Sequence, residues 1–182
     1  MLRTNTSSRT GDDPASSLRS QLTPVAWGDG AQAEGVNVTA CLADIEALIQ
    51  TMWGPKIRFD LCASADLPLL TCDRANLQAA IMNLLLNARD AMPDGGAVSV
   101  VATAVHDGYG AIELRVADNG LGMNEDTVRR AADPFFTTKS TGLGGLGLPM
   151  VKRFVQETGG RLHIESEPGV GTSVTLLLPL ST

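Results

Sequence analysis

Ile112-Glu113-Leu114-Arg115-Val116-Ala117 runs directly into Asp118-Asn119-Gly120-Leu121-Gly122. The first six residues alternate as a strand does, and the next five set a carboxylate at its end beside two glycines. A carboxylate there can accept from an exocyclic amine while the glycines let the backbone turn tightly beside a flat ring. Taken alone, the pattern is also that of an ordinary turn at a strand end. Two segments further on extend it: Phe135-Phe136-Thr137-Thr138-Lys139, then Gly142-Leu143-Gly144-Gly145-Leu146-Gly147-Leu148. Glycines packed this closely before a helix expose successive N–H groups to an anion, which makes a phosphate cradle. Pro149 is tolerated in the first turn of that helix, where its missing N–H has no intrahelical partner. Lys139 supplies a point charge for a phosphate. The GxxxxGK[ST] spacing is absent, so this is not a P-loop.

Upstream, Asp73 is an N-cap for a helix over Arg74 to Met92, with Leu77, Ala80, Ile81, Leu84, Leu85, Ala88 and Ala91 in one apolar stripe. Asn83 and Asn87 share another face of this helix. Amides in mid-helix are poor helix formers, and an amide oxygen can coordinate Mg²⁺ beside phosphate oxygens. Two solvated surface residues would read the same way.

The rest of the chain fits one domain. Of its 182 residues 43% are hydrophobic and 19% charged, ordinary for a soluble globular protein. Residues 1–35, rich in Ser, Thr, Gly and Asp, read as a flexible tail or the remnant of a preceding domain, and 36–182 as the folded part. Val36 to Val38 reads as a short strand, Ala40 to Trp53 as a helix with Leu42, Ile45, Leu48, Ile49 and Met52 at helical spacing, and Lys56 to Cys62 as a strand. Pro93-Asp94-Gly95-Gly96 ends the long helix. Strands over Ala97 to Val105 and Ala111 to Ala117 form a hairpin, followed by helices over Glu125 to Ala132 and Gly147 to Thr158 and strands over Arg161 to Ser166 and Thr172 to Leu178. Helices and hairpins mixed this way predict an α+β two-layer sandwich, a mixed, mostly antiparallel sheet with helices on one face.

A net charge of −6 argues against nucleic acid as a partner. No apolar run approaches the length of a membrane helix and no secretory apolar core is present, so the expected place is the cytoplasm, without membrane contact. Cys41, Cys62 and Cys72 lack metal spacing and read as reduced small hydrophobes.

In order, Asn83-Leu84-Leu85-Leu86-Asn87-Ala88-Arg89-Asp90-Ala91-Met92 resembles the N box, Asp118 to Gly122 the first glycine box, Asp133 to Lys139 the F box, and Gly142 to Leu148 the second glycine box of sensor histidine kinases. Gly169-Val170-Gly171-Thr172 is similar to the glycine-threonine turn near the end of the same domain. The resemblance covers about residues 36–180 and implies the Bergerat ATP-binding fold shared with gyrase, heat-shock-90 and MutL proteins. It implies ATP and Mg²⁺ as cofactors, with Asn87 on the metal, Asp118 on the adenine amine, and Thr172 supporting it through water. Phe135 to Gly147 would form a mobile lid. Lys139 and the N–H groups around Gly145 and Gly147 would meet the phosphates, with Asp90, Gly120, Gly122, Gly142, Gly144, Leu146 and Leu148 completing the site.

Hydrolytic relatives carry a glutamate one turn before the metal-binding asparagine. Asn83 stands there and cannot take a proton, which favours a kinase over an ATPase. His106 and His163, in a hairpin loop and a strand, lack the helical setting of a phosphoacceptor. The implied partners are therefore a dimerisation and histidine-phosphoacceptor domain outside this chain and a response regulator, with this domain monomeric when isolated. The lid departs from the family in its adjoining Gly144 and Gly145, in Pro149, and in Ala132 where Phe is frequent, changes that bear on lid closure. The other function class is a partner-docking module of the same fold, anti-sigma-like or a degenerate kinase.

Overall fold

The computed structural model describes residues 34–106, 110–137 and 145–180. The expected tail lies almost wholly outside them, as does the tip of the hairpin loop. The elements are β1 (Glu34–Val36), α1 (Val38–Met52), β2 (Ile57–Ala63), β3 (Leu70–Cys72), α2 (Arg74–Asp90), β4 (Gly96–Val105), β5 (Ala111–Asp118), α3 (Glu125–Arg130), α4 (Gly147–Glu157), β6 (Arg161–Glu167) and β7 (Gly171–Pro179). Among the described residues no helix is long and apolar enough to cross a membrane.

Five strands form one sheet in the order β2-β4-β5-β7-β6, with β2 parallel to β4 and every other pairing antiparallel. β1 pairs with β3 in a separate two-stranded sheet. Period-2 alternation puts Val98, Val100 and Ala102 of β4, Ile112, Leu114 and Val116 of β5, and Val174, Leu176 and Leu178 of β7 into one buried face. The stripes of α1, α2 and α4 cover that face, joining it in a single apolar core with Ile45, Ile49, Ile81, Leu85, Val151 and Val155. The opposite face carries exposed polar residues such as Arg115 and His163. The expected mixed sheet with helices on one side is what forms.

The differences are local and have physical causes. Of the strand expected over Val36 to Val38 only Val36 is in one, as the last residue of β1: Asn37 Oδ1 accepts the Ala40 N–H at 2.9 Å, so Asn37 caps α1 and Val38 is its first residue. A cap that satisfies an orphan helix donor outweighs the strand preference of Val38. Leu48 and Met52 have helical spacing yet are 46% and 52% exposed. α1 buries a narrower stripe, Val38, Cys41, Leu42, Ile45 and Ile49. β3 has only three residues, too few for alternation to be read, and is held by β1. Asp73 caps α2 as expected, accepting the Asn76 N–H at 2.8 Å, but α2 stops at Asp90. Ala91, expected in its stripe, is the C-cap, its N–H shared between Asn87 and Ala88 carbonyls at 3.0 and 3.1 Å. α3 likewise ends two residues early, at Arg130.

Cys41 and Cys72 are buried, and burial pushes both thiols up, that of Cys72 to about 11. Cys62 is exposed on β2, not a core hydrophobe, because it falls on the outward phase of that strand.

The burial pattern sets a stability prediction. Leu85 is fully buried against the sheet, and Leu85→Ala should cost about 3 kcal/mol in transfer and cavity terms. Leu48→Ala should cost less than about 1 kcal/mol, as a half-exposed leucine leaves little cavity. Urea unfolding of both variants checks the pair.

Candidate nucleotide site

The site grows from the junction of β5 with the turn that follows. Asp118 is the last residue of β5, and its Cα partner on β7 is Thr172. The carboxylate accepts the Gly120 N–H at 2.9 Å and the Thr172 N–H. Burial pushes its carboxyl above the ordinary value of 3.8, and these two backbone donors hold it partly back.

The turn is tied down on every side. Asn119 Oδ1 accepts the Ala97 N–H at 2.7 Å, Leu121 N–H donates to the Ala91 carbonyl at 2.9 Å, and Gly169 N–H donates to the Leu121 carbonyl at 2.7 Å. Gly122 has a φ of 64°, and a side chain there would run into the Glu167 carbonyl. Gly120 leaves no more room, since a Cβ would lie 2.5 Å from the Ala91 carbonyl oxygen. The glycines thus let the turn lie flush on the end of α2 and on β6.

Asn83 and Asn87 come to the same place from α2. Asn83 Nδ2 donates to the Ala79 carbonyl at 2.9 Å. A Cβ on Gly147 would sit 3.3 Å from Asn83 Oδ1 and 3.4 Å from Asn87 Nδ2, so the first residue of α4 abuts both amides. Leu146 is the N-cap of α4 and its side chain makes no capping hydrogen bond, so the cap residue itself satisfies none of the first-turn N–H groups.

A cavity of about 430 Å³ lies between these parts, within the usual range for small-molecule sites. Asn83, Asn87, Asp90, Asp118, Gly122, Gly145, Leu146, Gly147, Leu148 and Thr172, all expected at the site, line it. Asp90 is also paired with Arg89 at 2.9 Å. Gly120 does not line it: its role is to seat the turn on Ala91. Lys139, Gly142 and Gly144 lie outside the described residues.

Met123, Ala131 and Phe136 add apolar lining, and Thr127 a hydroxyl-bearing side chain, beyond the residues expected at the site. Phe136 lines the cavity and carries the Arg130 guanidinium 4.3 Å above its ring, whereas the adjacent Phe135 is 79% exposed at a φ of 65°. The Phe135 N–H donates to the Gly145 carbonyl at 3.0 Å, which joins the two ends of the segment between them.

These features match a known domain. A family model described as histidine kinase-, DNA gyrase B- and HSP90-like ATPase matches residues 72–182. The chain belongs to this family. Sensor kinase CckA of Brucella abortus (strain 2308) is 32% identical over 178 residues, which is 91% of this chain and 19% of CckA. The solved mycobacterial sensor histidine kinase MprB superposes with a TM-score of 0.68 at 27% identity, covering 81% of this chain and 97% of that one. Full-length ShkA in complex with AMPPNP gives 0.71 at 27% identity over 82% of this chain and 31% of that one. This histidine-kinase-like ATPase domain therefore spans about a fifth of its CckA relative. It is homologous to the catalytic domains of the sensor histidine kinases of two-component systems.

Proposed function

We propose that this domain binds Mg²⁺-ATP and positions it for phosphoryl transfer to a histidine outside these 182 residues, with a response regulator further downstream. The observation that carries the reading is the convergence of Asp118, Thr172, Asn87 and the start of α4, which has no side-chain cap from Leu146, on one cavity. An acceptor-only carboxylate at one end suits an amine-bearing base, and helix N–H groups at the other suit phosphates. Asn87 supplies the neutral amide oxygen that a hard cation takes, and Mg²⁺, when bound, would offset phosphate charge. Asn83 has no titratable group, so it can orient but cannot deprotonate water, which favours an external nucleophile over hydrolysis. His163 is an exposed strand residue 3.5 Å from Glu165, and His106 follows β4, so neither is helical. Neither has the helical setting of a phosphoacceptor.

Titration calorimetry with Mg²⁺-ATP tests the reading. One site of micromolar to millimolar affinity is expected, with little ATP hydrolysis by the chain alone, and no binding at millimolar ATP would rule the kinase reading out.

Asp118 gives the pH dependence its sign. Its folded-state pKa is raised, so on acidification the folded chain takes up this proton before the unfolded chain does. Its contribution to stability therefore grows as pH falls through the folded pKa, and levels off below the unfolded value. ATP affinity should move oppositely, since a protonated carboxyl is a poorer acceptor, and the decline should begin above 3.8, the ordinary aspartate value. Calorimetry across an acidic pH series reads this directly.

A further inference from the structure

Ser166, on β6, lies behind Thr172 and has no part in the site as described so far. Its Oγ accepts the Met123 N–H at 2.8 Å, donates to the Gly171 carbonyl at 2.9 Å, and lies 2.8 Å from Thr172 Oγ1. A serine hydroxyl has one proton and two acceptor sites. The carbonyl of Gly171 cannot donate, so the serine proton goes there. The contact with Thr172 then closes only if the Thr172 hydroxyl is the donor, which fills both Ser166 acceptor sites.

We infer that Ser166 is a specificity-determining positioning residue: by taking the Thr172 proton it leaves Thr172 facing the cavity as an acceptor only, beside the acceptor-only carboxylate of Asp118. Thr172 and Asp118 are Cα partners on adjacent strands, and both line the cavity. A nucleobase edge set against two acceptors must bring donors. Adenine does so with the two hydrogens of its exocyclic amine, whereas a six-carbonyl purine presents an oxygen lone pair to the same spot and carries its nearest donor on the adjacent ring nitrogen. Specificity arises from the unpaired, repelling oxygen of the wrong base more than from added attraction for the right one. The inference rests on the nucleotide-binding reading above.

Inosine triphosphate, which carries the six-carbonyl, is the probe. Wild type should bind it about a hundredfold more weakly than ATP. Ser166→Ala frees the threonine hydroxyl to rotate and donate, and should narrow that ratio about tenfold, while Ser166→Thr, which keeps a hydroxyl, preserves it. Thr172→Val removes the acceptor and should narrow the ratio similarly, and the double variant should narrow it no further. A Ser166→Ala variant that weakens both nucleotides equally would mean that Ser166 merely props the Met123 and Gly171 backbone, and would overturn the inference. If Ser166→Ala does not fold, Thr172→Val decides alone: an unchanged ratio overturns the inference. Wild type that binds ATP in an Asp118-dependent way yet accepts inosine triphosphate equally overturns it too, and leaves the ATP site standing. No ATP binding at all overturns both.

Discussion

Asp118→Ala is expected to lower ATP affinity by at least about a hundredfold, close to 3 kcal/mol, with the fold retained. The size follows from what is lost. A partly buried carboxylate is an acceptor to which an amine donor makes a charge-assisted bond, and without it the donor enters the cavity unpaired. Stability should change little, because two effects oppose each other. The Gly120 and Thr172 N–H groups lose their acceptor, while a charge that burial disfavours is removed. Calorimetry at neutral pH gives the affinity, and thermal unfolding gives the control. An affinity within threefold of wild type in a folded variant would place the base elsewhere.

The second large effect is expected at Asn87. Asn87→Ala leaves the Asp118 end of the cavity untouched, so binding of ATP in the presence of a chelator should change little. The gain in affinity on adding Mg²⁺ should disappear, and phosphoryl transfer should fall by about a hundredfold or more, as when one electrostatic contact to the reacting group is lost. Alanine is the better helix former in mid-helix, which favours α2 in the variant. The comparison of four titrations, wild type and variant each with and without Mg²⁺, separates a metal role from general damage. An equal loss of affinity in both solutions would assign Asn87 to the nucleotide itself.

Much of this was legible in the chain because it is written locally. Asp73 announces α2 through a cap three residues from the N–H it accepts, and the β4–β5 pairing follows from two alternating runs with a short connection. The glycines of the first turn are legible for the same reason, since the need for a left-handed φ at Gly122 is a property of that residue alone. What escaped depends on distant partners. β3 exists because β1 pairs with it, and β2 lies parallel to β4 across an intervening helix, neither of which leaves a periodic trace. Leu48 and Met52 have the right spacing for a core stripe, but the width of the buried stripe is set by what packs on it. The division of labour at Phe135 and Phe136 turns on the positive φ at Phe135, which nothing in a pair of identical residues reveals. Ser166 is a single hydroxyl in an alternating strand, and its meaning comes from three partners in two other segments.

The fate of the γ-phosphate tests the central claim most directly. The chain is incubated with γ-labelled ATP and Mg²⁺, alone and with a separately made dimerisation and histidine-phosphoacceptor domain. The expected result is slow release of phosphate by the chain alone, and label on the acceptor domain that is lost in acid, kept in alkali, and absent with Asn87→Ala. Rapid release of inorganic phosphate by the chain, with the acceptor domain left unlabelled, would contradict the account.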